Sequence, residues 1–195
     1  MTNPRLVLAS SSPFRKMLLE RLSVPFEIAN PDIDESPIEG ESPTALVERL
    51  AIEKAKAVAS VFTHSLIIGS DQVAVHGENI VGKPHTHERA VSQLREASGK
   101  EIRLYTGLCL INTTTRAVQS AVVPYTVHFK TLSEEVIETY LRKEKPYNCA
   151  GSVRAEGLGI ALLARFEGED PNALIGLPLI SLVTMLENEG FNLFR

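Results

Sequence analysis

Asp71 follows the apolar run Leu66-Ile67-Ile68 and the pair Gly69-Ser70. A run that short and that apolar reads as a buried central strand, so its end is firmly held. A carboxylate emerging at such an end sits where open α/β sheets place their ligand clefts. It can take a proton from water, or help hold a metal that activates one. Position alone equally allows a turn aspartate bonding nearby amides.

Near the N-terminus, Leu6-Val7-Leu8-Ala9 runs into Ser10-Ser11-Ser12-Pro13-Phe14-Arg15-Lys16. Ser12 suits an N-cap, and Pro13 suits the first helical position because it has no amide hydrogen to leave unpaired. A helix starting there turns its free N–H groups and the positive end of its dipole toward the strand end. With the hydroxyl of Ser10 and the cation of Arg15 alongside, the turn reads as a phosphate site, or as a capped helix with solvated cations. Asp32, Asp34 and Glu35 form an acidic cluster. Their oxygens suit magnesium or manganese when substrate phosphates complete the shell, and a solvated acidic loop has the same composition. Lys54 and Lys83 are each able to meet a phosphate oxygen as a point charge, or to be ordinary surface lysines. Other familiar catalytic sets are missing: there is no Walker phosphate loop and no Gly-x-Ser-x-Gly elbow. His85 and His87 are the one close histidine pair, with no cysteine nearby to suggest zinc.

The elements that must position these groups follow from periodicity. Residues 5–9 and 25–29 read as strands and 13–22 as a helix. Ser42 and Pro43 open the clearest helix, with Leu46, Val47, Leu50, Lys54 and Ala57 at helical spacing to about Ser60. Residues 72–82 read as a hairpin around Gly77, and 84–98 as a helix capped by Thr86. Two alternating runs, 101–112 and 117–130, predict an antiparallel pair. Ser133 starts another helix, Gly151 to Gly159 reads as loop or bulged strand, and 159–166 fits strand or helix. A last amphipathic helix follows Gly176-Leu177-Pro178 and stops before Gly190. Long antiparallel strands beside alternating units favour an α/β fold with a mixed sheet.

The 195 residues suffice for one substantial domain or two small lobes around a cleft. A net charge of −4 argues against a broad nucleic-acid-binding face, so cations for a polyanionic ligand must be gathered locally or shared with a metal. No span approaches membrane length, and no N-terminal stretch matches a signal-peptide core. Cys109 and Cys149 read as reduced thiols of a cytosolic protein.

Seven pieces, in order across nearly the whole chain, resemble the Maf family of nucleoside triphosphate pyrophosphatases. They are Ser10-Ser11-Ser12-Pro13-Phe14-Arg15 with Leu18-Leu19, Asp34-Glu35, Glu53-Lys54-Ala55, Gly69-Ser70-Asp71-Gln72, Gly82-Lys83-Pro84, Ala150-Gly151 and Gly176-Leu177-Pro178. The resemblance implies a mixed, twisted sheet in two lobes around a nucleotide cleft, akin to the inosine triphosphate pyrophosphatases, with residues 1–195 as one two-lobed domain. It implies cytoplasmic hydrolysis of a nucleoside triphosphate to monophosphate and pyrophosphate, with a divalent cation, Mg2+ or Mn2+. The implied partner is a small-molecule nucleotide, with neither nucleic acid nor membrane, and a homodimer is left open. By position, Asp71 matches the family's proton acceptor. Ser10, Arg15, Lys54 and Lys83 match its phosphate-binding residues, and Glu35 its metal ligand.

The departures narrow the substrate. The commoner pattern has arginine after the proline, threonine after the catalytic aspartate and glutamine in the later glycine-rich segment; here stand Phe14, Gln72 and Glu156. That combination resembles the subfamily acting on 7-methyl-GTP, whose members carry an aromatic residue (tryptophan in its usual form), glutamine and glutamate. N7 methylation gives guanine a delocalised positive charge, which an aromatic face favours by roughly 0.5–2 kcal/mol. A carboxylate at Glu156 accepts from guanine's N1–H and exocyclic amine but repels the carbonyls of uracil or thymine, a mismatch able to separate substrates by about 10⁴. Taken without the resemblance, Phe14 fits core packing on its own helix and Glu156 a loop carboxylate. Two other functions stay open: a pyrophosphatase for ordinary or other modified nucleotides such as dTTP or UTP, and a nucleotide-binding regulator of cell division.

Overall fold

The computed structural model describes residues 4–194. The chain forms two compact units: one takes the chain up to Gln72, Thr106–Val123 and the chain from Asp170 on; the other takes Val73–Tyr105 and Pro124–Glu169. Strands β3 (Ser65–His76), β5 (Glu101–Asn112) and β6 (Val118–Phe129) each contribute residues to both.

In the first unit, β1 (Arg5–Ala9) pairs in parallel with β2 (Glu27–Ala29) and with β3, and the strand order runs β2-β1-β3-β5-β6. Five residues join β5 to β6, too few for a parallel crossover, so these neighbours run antiparallel. The sheet is therefore mixed, as the alternating and long-strand signals together predict. Period-two alternation sorts its side chains. Leu6, Leu8, Leu66, Ile68, Leu108 and Leu110 pack with Leu18 and Leu19 of α1 (Pro13–Glu20) and Leu182 and Leu186 of α5 (Leu179–Asn188). Val7, Ala9, Ile67, Cys109 and Ile111 pack on the other face, against Ala51, Ala55 and Val58 of α2 (Pro43–Ala59). Each large side chain buried in this way contributes roughly 1.5–3 kcal/mol before entropy is counted.

In the second unit, the end of β3 pairs antiparallel with β4 (Asn79–Val81), with Ala74 opposite Val81 and His76 opposite Asn79 around Gly77 at φ 60°. The end of β6 pairs antiparallel with β7 (Leu163–Glu167), with a register shift between His128 and Phe129. Helices α3 (His87–Ala97) and α4 (Glu134–Glu144) pack together, capped by Thr86 and Ser133 as their sequences predict. The glycine-rich stretch forms two 3-10 turns, Ala150–Ser152 and Leu158–Leu162, and β7 then resolves the ambiguous 159–166 segment.

Three expectations need correction. The second strand starts at Glu27 rather than at 25, since Pro25 has no N–H for a ladder. Helix α3 starts at His87 rather than at 84, because Thr86 is the cap and His85 before it sits at φ 60°. Strand β3 does not stop at Ile68 but runs twelve residues, through Gly69, Ser70 and Asp71 to His76. Asp71 thus stands inside a strand, not beyond its end. Gly69 looks like a break in the sequence, but the structure uses it to admit a neighbouring helix.

Candidate active site

Helix α2 lies unusually close to the sheet. A Cβ on Gly69 would stand 2.1 Å from the Ala51 carbonyl oxygen, and one on Gly107 would stand 2.1 Å from that of Val47. Two glycines on adjacent strands, Gly69 facing Ala51 and Ala55 and Gly107 facing Val47 and Glu48, let the helix backbone settle onto β3 and β5. Asp71 shares the face of Gly69, two residues on, and meets the lysine this helix brings down. Lys54 Nζ donates to Asp71 Oδ1 at 2.6 Å and to Glu35 Oε1 at 2.8 Å. Lys54 is only 4% exposed and Asp71 7%, while the Glu35 side chain is 59% exposed. One buried ammonium thus joins the candidate base to the candidate metal ligand.

The loop carrying Glu35 is tied to the same helix. Arg49 donates from Nε and Nη2 to the two Glu41 oxygens, both at 2.7 Å, and from Nη2 to the Ser36 carbonyl at 3.1 Å. This fork lowers the Glu41 carboxyl to about 2, with Arg49 hydrogen bonding as the main cause. The acidic cluster itself does not converge. Asp34 turns back to accept from the Ser36 amide at 2.9 Å, and among the described residues no three His, Cys, Asp or Glu side chains are placed to hold a metal.

The strand-to-helix turn brings a second cation. Ser12 caps α1 as predicted, accepting from the Arg15 amide at 3.4 Å. Ser10, buried at the end of β1, accepts from the Ser12 amide at 3.1 Å and from Arg15 Nη1 at 3.5 Å. Arg15 Nε donates to the Gly176 carbonyl at 2.9 Å. Desolvation draws the guanidinium below its ordinary value, and the charges of Asp71 and Glu35 pull the other way. Ser10, Arg15, Glu35, Lys54 and Asp71 therefore form one neighbourhood: two cations suited to phosphate oxygens and two carboxylates among them.

Ser70 and Gln72 face away from Asp71, as strand alternation requires. They meet the segment before α5. Ser70 Oγ lies 2.8 Å from the Gly107 carbonyl and 3.0 Å from that of Gly176, while Gln72 Nε2 donates to the Ala173 carbonyl at 2.6 Å. Asp170, 2% exposed, fastens this segment at its base. Its Oδ1 accepts from Asn172 N and Nδ2 at 2.9 and 2.8 Å, and its Oδ2 accepts from Ile180 N at 2.7 Å. Removing that carboxylate takes the acceptor from two backbone amides and the Asn172 side chain at once. Asp170→Ala is expected to lower unfolding free energy by about 3 kcal/mol, read as the shift in a urea midpoint.

Phe14, Lys83 and Glu156 complete the predicted residues. Phe14 is half-buried, the second residue of α1. Lys83 and Glu156 belong to the second unit, where Lys83 is exposed and Glu156 Oε1 lies 3.4 Å from Arg154 Nε. Both act on Cys149, whose thiol is raised chiefly by burial, then further by Glu156 and against the pull of Lys83. Three contributors escaped the sequence reading: Thr106, Asp170 and the glycine pair Gly69 and Gly107. Thr106 shares parity with Leu108 and Leu110, which was the one available signal that it faces inward.

Residues 5–189 match the family described as Maf-like protein. The chain is 56% identical over 188 residues to the 7-methyl-GTP pyrophosphatase of Nitrosococcus oceani, spanning 96% of this chain and 94% of that one. It is 57% identical over 187 residues to the enzyme of the same name from Pseudomonas aeruginosa, spanning 96% and 97%. Among solved structures, a HAM1 protein from Coxiella burnetii shares the fold with a TM-score of 0.53 at 14% identity, over 95% of this chain and 99% of that one. The mixed sheet, the seven ordered motifs and the near-complete match agree: this chain belongs to the Maf-like protein family.

Proposed function

We propose that this protein hydrolyses 7-methyl-GTP to 7-methyl-GMP and pyrophosphate, removing a modified nucleotide before it enters RNA. The observation that carries the reading is the buried Lys54 ammonium between Asp71 and Glu35, with Arg15 close enough to feel both charges. That constellation stands in a chain 53–57% identical to several proteins named for this activity.

Water attacks the α-phosphorus, the bond from that phosphorus to the α,β-bridging oxygen breaks, and pyrophosphate leaves with the bonding pair. Asp71 orients the water and takes its proton. Arg15, Lys54 and Lys83 offset charge on the triphosphate and on the departing pyrophosphate, and Ser10 holds Arg15 in place. Glu35 would hold a divalent ion, since magnesium and manganese bind through as few as one carboxylate where substrate phosphates are also present. Such an ion, when bound, neutralises phosphate charge as a Lewis acid. Phe14, Gln72 and Glu156 choose the base, by ring stacking on a cation and by hydrogen bonding. Cytoplasmic residence agrees with two free thiols, and no helix among the described residues is long and apolar enough to cross a membrane.

Pyrophosphate release from 7-methyl-GTP, GTP, UTP and dTTP, each with magnesium, tests the reading. 7-Methyl-GTP is expected to give the highest kcat/KM, and equal or better turnover of UTP or dTTP overturns it. Glu156→Gln is expected to narrow the margin over UTP by at least about tenfold. The melting temperature should barely change, because the Glu156 ion pair is with the exposed Arg154.

A further inference from the structure

Both N–H bonds of the Gln72 amide are committed inward. Nε2 donates to the Ala173 carbonyl at 2.6 Å and to Thr106 Oγ1 at 2.9 Å, with the Leu174 carbonyl a further acceptor at 3.3 Å. Thr106 is wholly buried, and its hydroxyl donates to the same Ala173 carbonyl at 2.9 Å. The single hydroxyl proton is thereby used, so Thr106 has only lone pairs to offer Gln72. An amide turned the other way would press its oxygen against two carbonyls and leave the threonine lone pairs without a donor. The orientation is thus set by chemistry rather than by a choice between look-alike atoms. Oε1 is left on the Arg15 side of Gly176: a Cβ on that glycine would stand 3.8 Å from Gln72 Oε1 and 3.6 Å from Arg15 Nε.

We propose that Thr106 is a positioning residue that locks the Gln72 amide with nitrogen inward and oxygen outward, so that position 72 offers a ligand an acceptor and no donor. The choice of base rests on the substrate reading above. A fixed acceptor attracts a base edge carrying a donor or positive charge and repels one carrying a lone pair. N7 methylation replaces a lone pair on guanine's imidazole edge with a methyl group on a cationic ring. The lock therefore favours 7-methylguanine over guanine, and a glutamine free to turn loses that preference by showing its NH2 group instead.

Thr106→Val keeps the shape and removes the hydroxyl; Thr106→Ser keeps the hydroxyl. In T106V the ratio of kcat/KM for 7-methyl-GTP over GTP is expected to fall on the order of tenfold, more in KM than in kcat, as the loss of one buried hydrogen-bond partner implies. T106S is expected to restore the ratio. An unchanged ratio in T106V, with or without a lower melting temperature, overturns the proposal and makes Thr106 a packing residue. The same proteins, labelled with 15N, report the Gln72 side-chain amide directly. Its protons are expected to exchange slowly in the wild type and faster in T106V. If the wild type shows no preference for 7-methyl-GTP, the substrate reading fails on its own, and amide exchange still decides the lock. Wild-type Gln72 protons exchanging as fast as those of an exposed glutamine overturn the lock even if T106V does not fold.

Discussion

Asp71→Asn is expected to cut kcat for pyrophosphate release by about 10³, within the 10²–10⁴ range of a positioned general base, while the protein stays folded. The side chain keeps its shape and loses its capacity to take a proton. The buried Lys54 ammonium is not orphaned by the change, because Glu35 Oε1 at 2.8 Å still accepts from it. That second partner is what makes the variant interpretable: an unpaired buried cation would cost several kcal/mol and confuse chemistry with stability. Affinity for a non-hydrolysable 7-methyl-GTP analogue, measured by titration, should change far less than turnover. A variant within tenfold of wild-type kcat removes Asp71 from proton transfer. The same protein separates an enzyme from a nucleotide-binding regulator of division, since a regulator keeps its cellular effect when turnover is lost.

How far such residues are legible in the sequence depends on whether their partners are local. Ser12 and Pro13 announce α1 because capping is settled within four residues, and Ser42 and Pro43 do the same for α2. The 101–112 and 117–130 runs show their alternation directly, and β5 and β6 fall within a residue of them. Asp71, Lys54, Glu35, Ser10 and Arg15 stand out by type, but each keeps a plain structural reading until the sheet order brings them together. Lys54 looks like a surface lysine, because nothing local says that the helix turns that position onto two carboxylates. Thr106 is hidden for a related reason. Its partners, Gln72 and Ala173, lie 34 and 67 residues away, and the pairing of β3 with β5 and the turn before α5, rather than local pattern, bring them together. Gly69 misleads outright, since a glycine after an apolar run signals a strand end unless another backbone presses against it.

That backbone contact carries the second large effect. Gly69→Ala is expected to destabilise the protein by more than about 3 kcal/mol, at or beyond the upper end for overpacking. The new methyl would stand 2.1 Å from the Ala51 carbonyl oxygen and 2.9 Å from both the amide nitrogen and the Cβ of Ala55. Two of these three atoms are backbone, so no rotamer change relieves the clash and α2 must lift from the sheet. Lys54 lies between Ala51 and Ala55 on that helix, so the 2.6 Å contact to Asp71 should be lost with the packing. Stability and turnover are therefore expected to fall together, unlike the Asp71→Asn case, where turnover falls alone. Gly82→Ala is the matched control, because a Cβ there meets nothing within 4 Å and the backbone is not left-handed. Its urea midpoint should match wild type. A Gly69→Ala protein that unfolds within about 1 kcal/mol of wild type would mean that α2 yields cheaply, and that its close seat on the two glycines is not what holds Lys54 against Asp71.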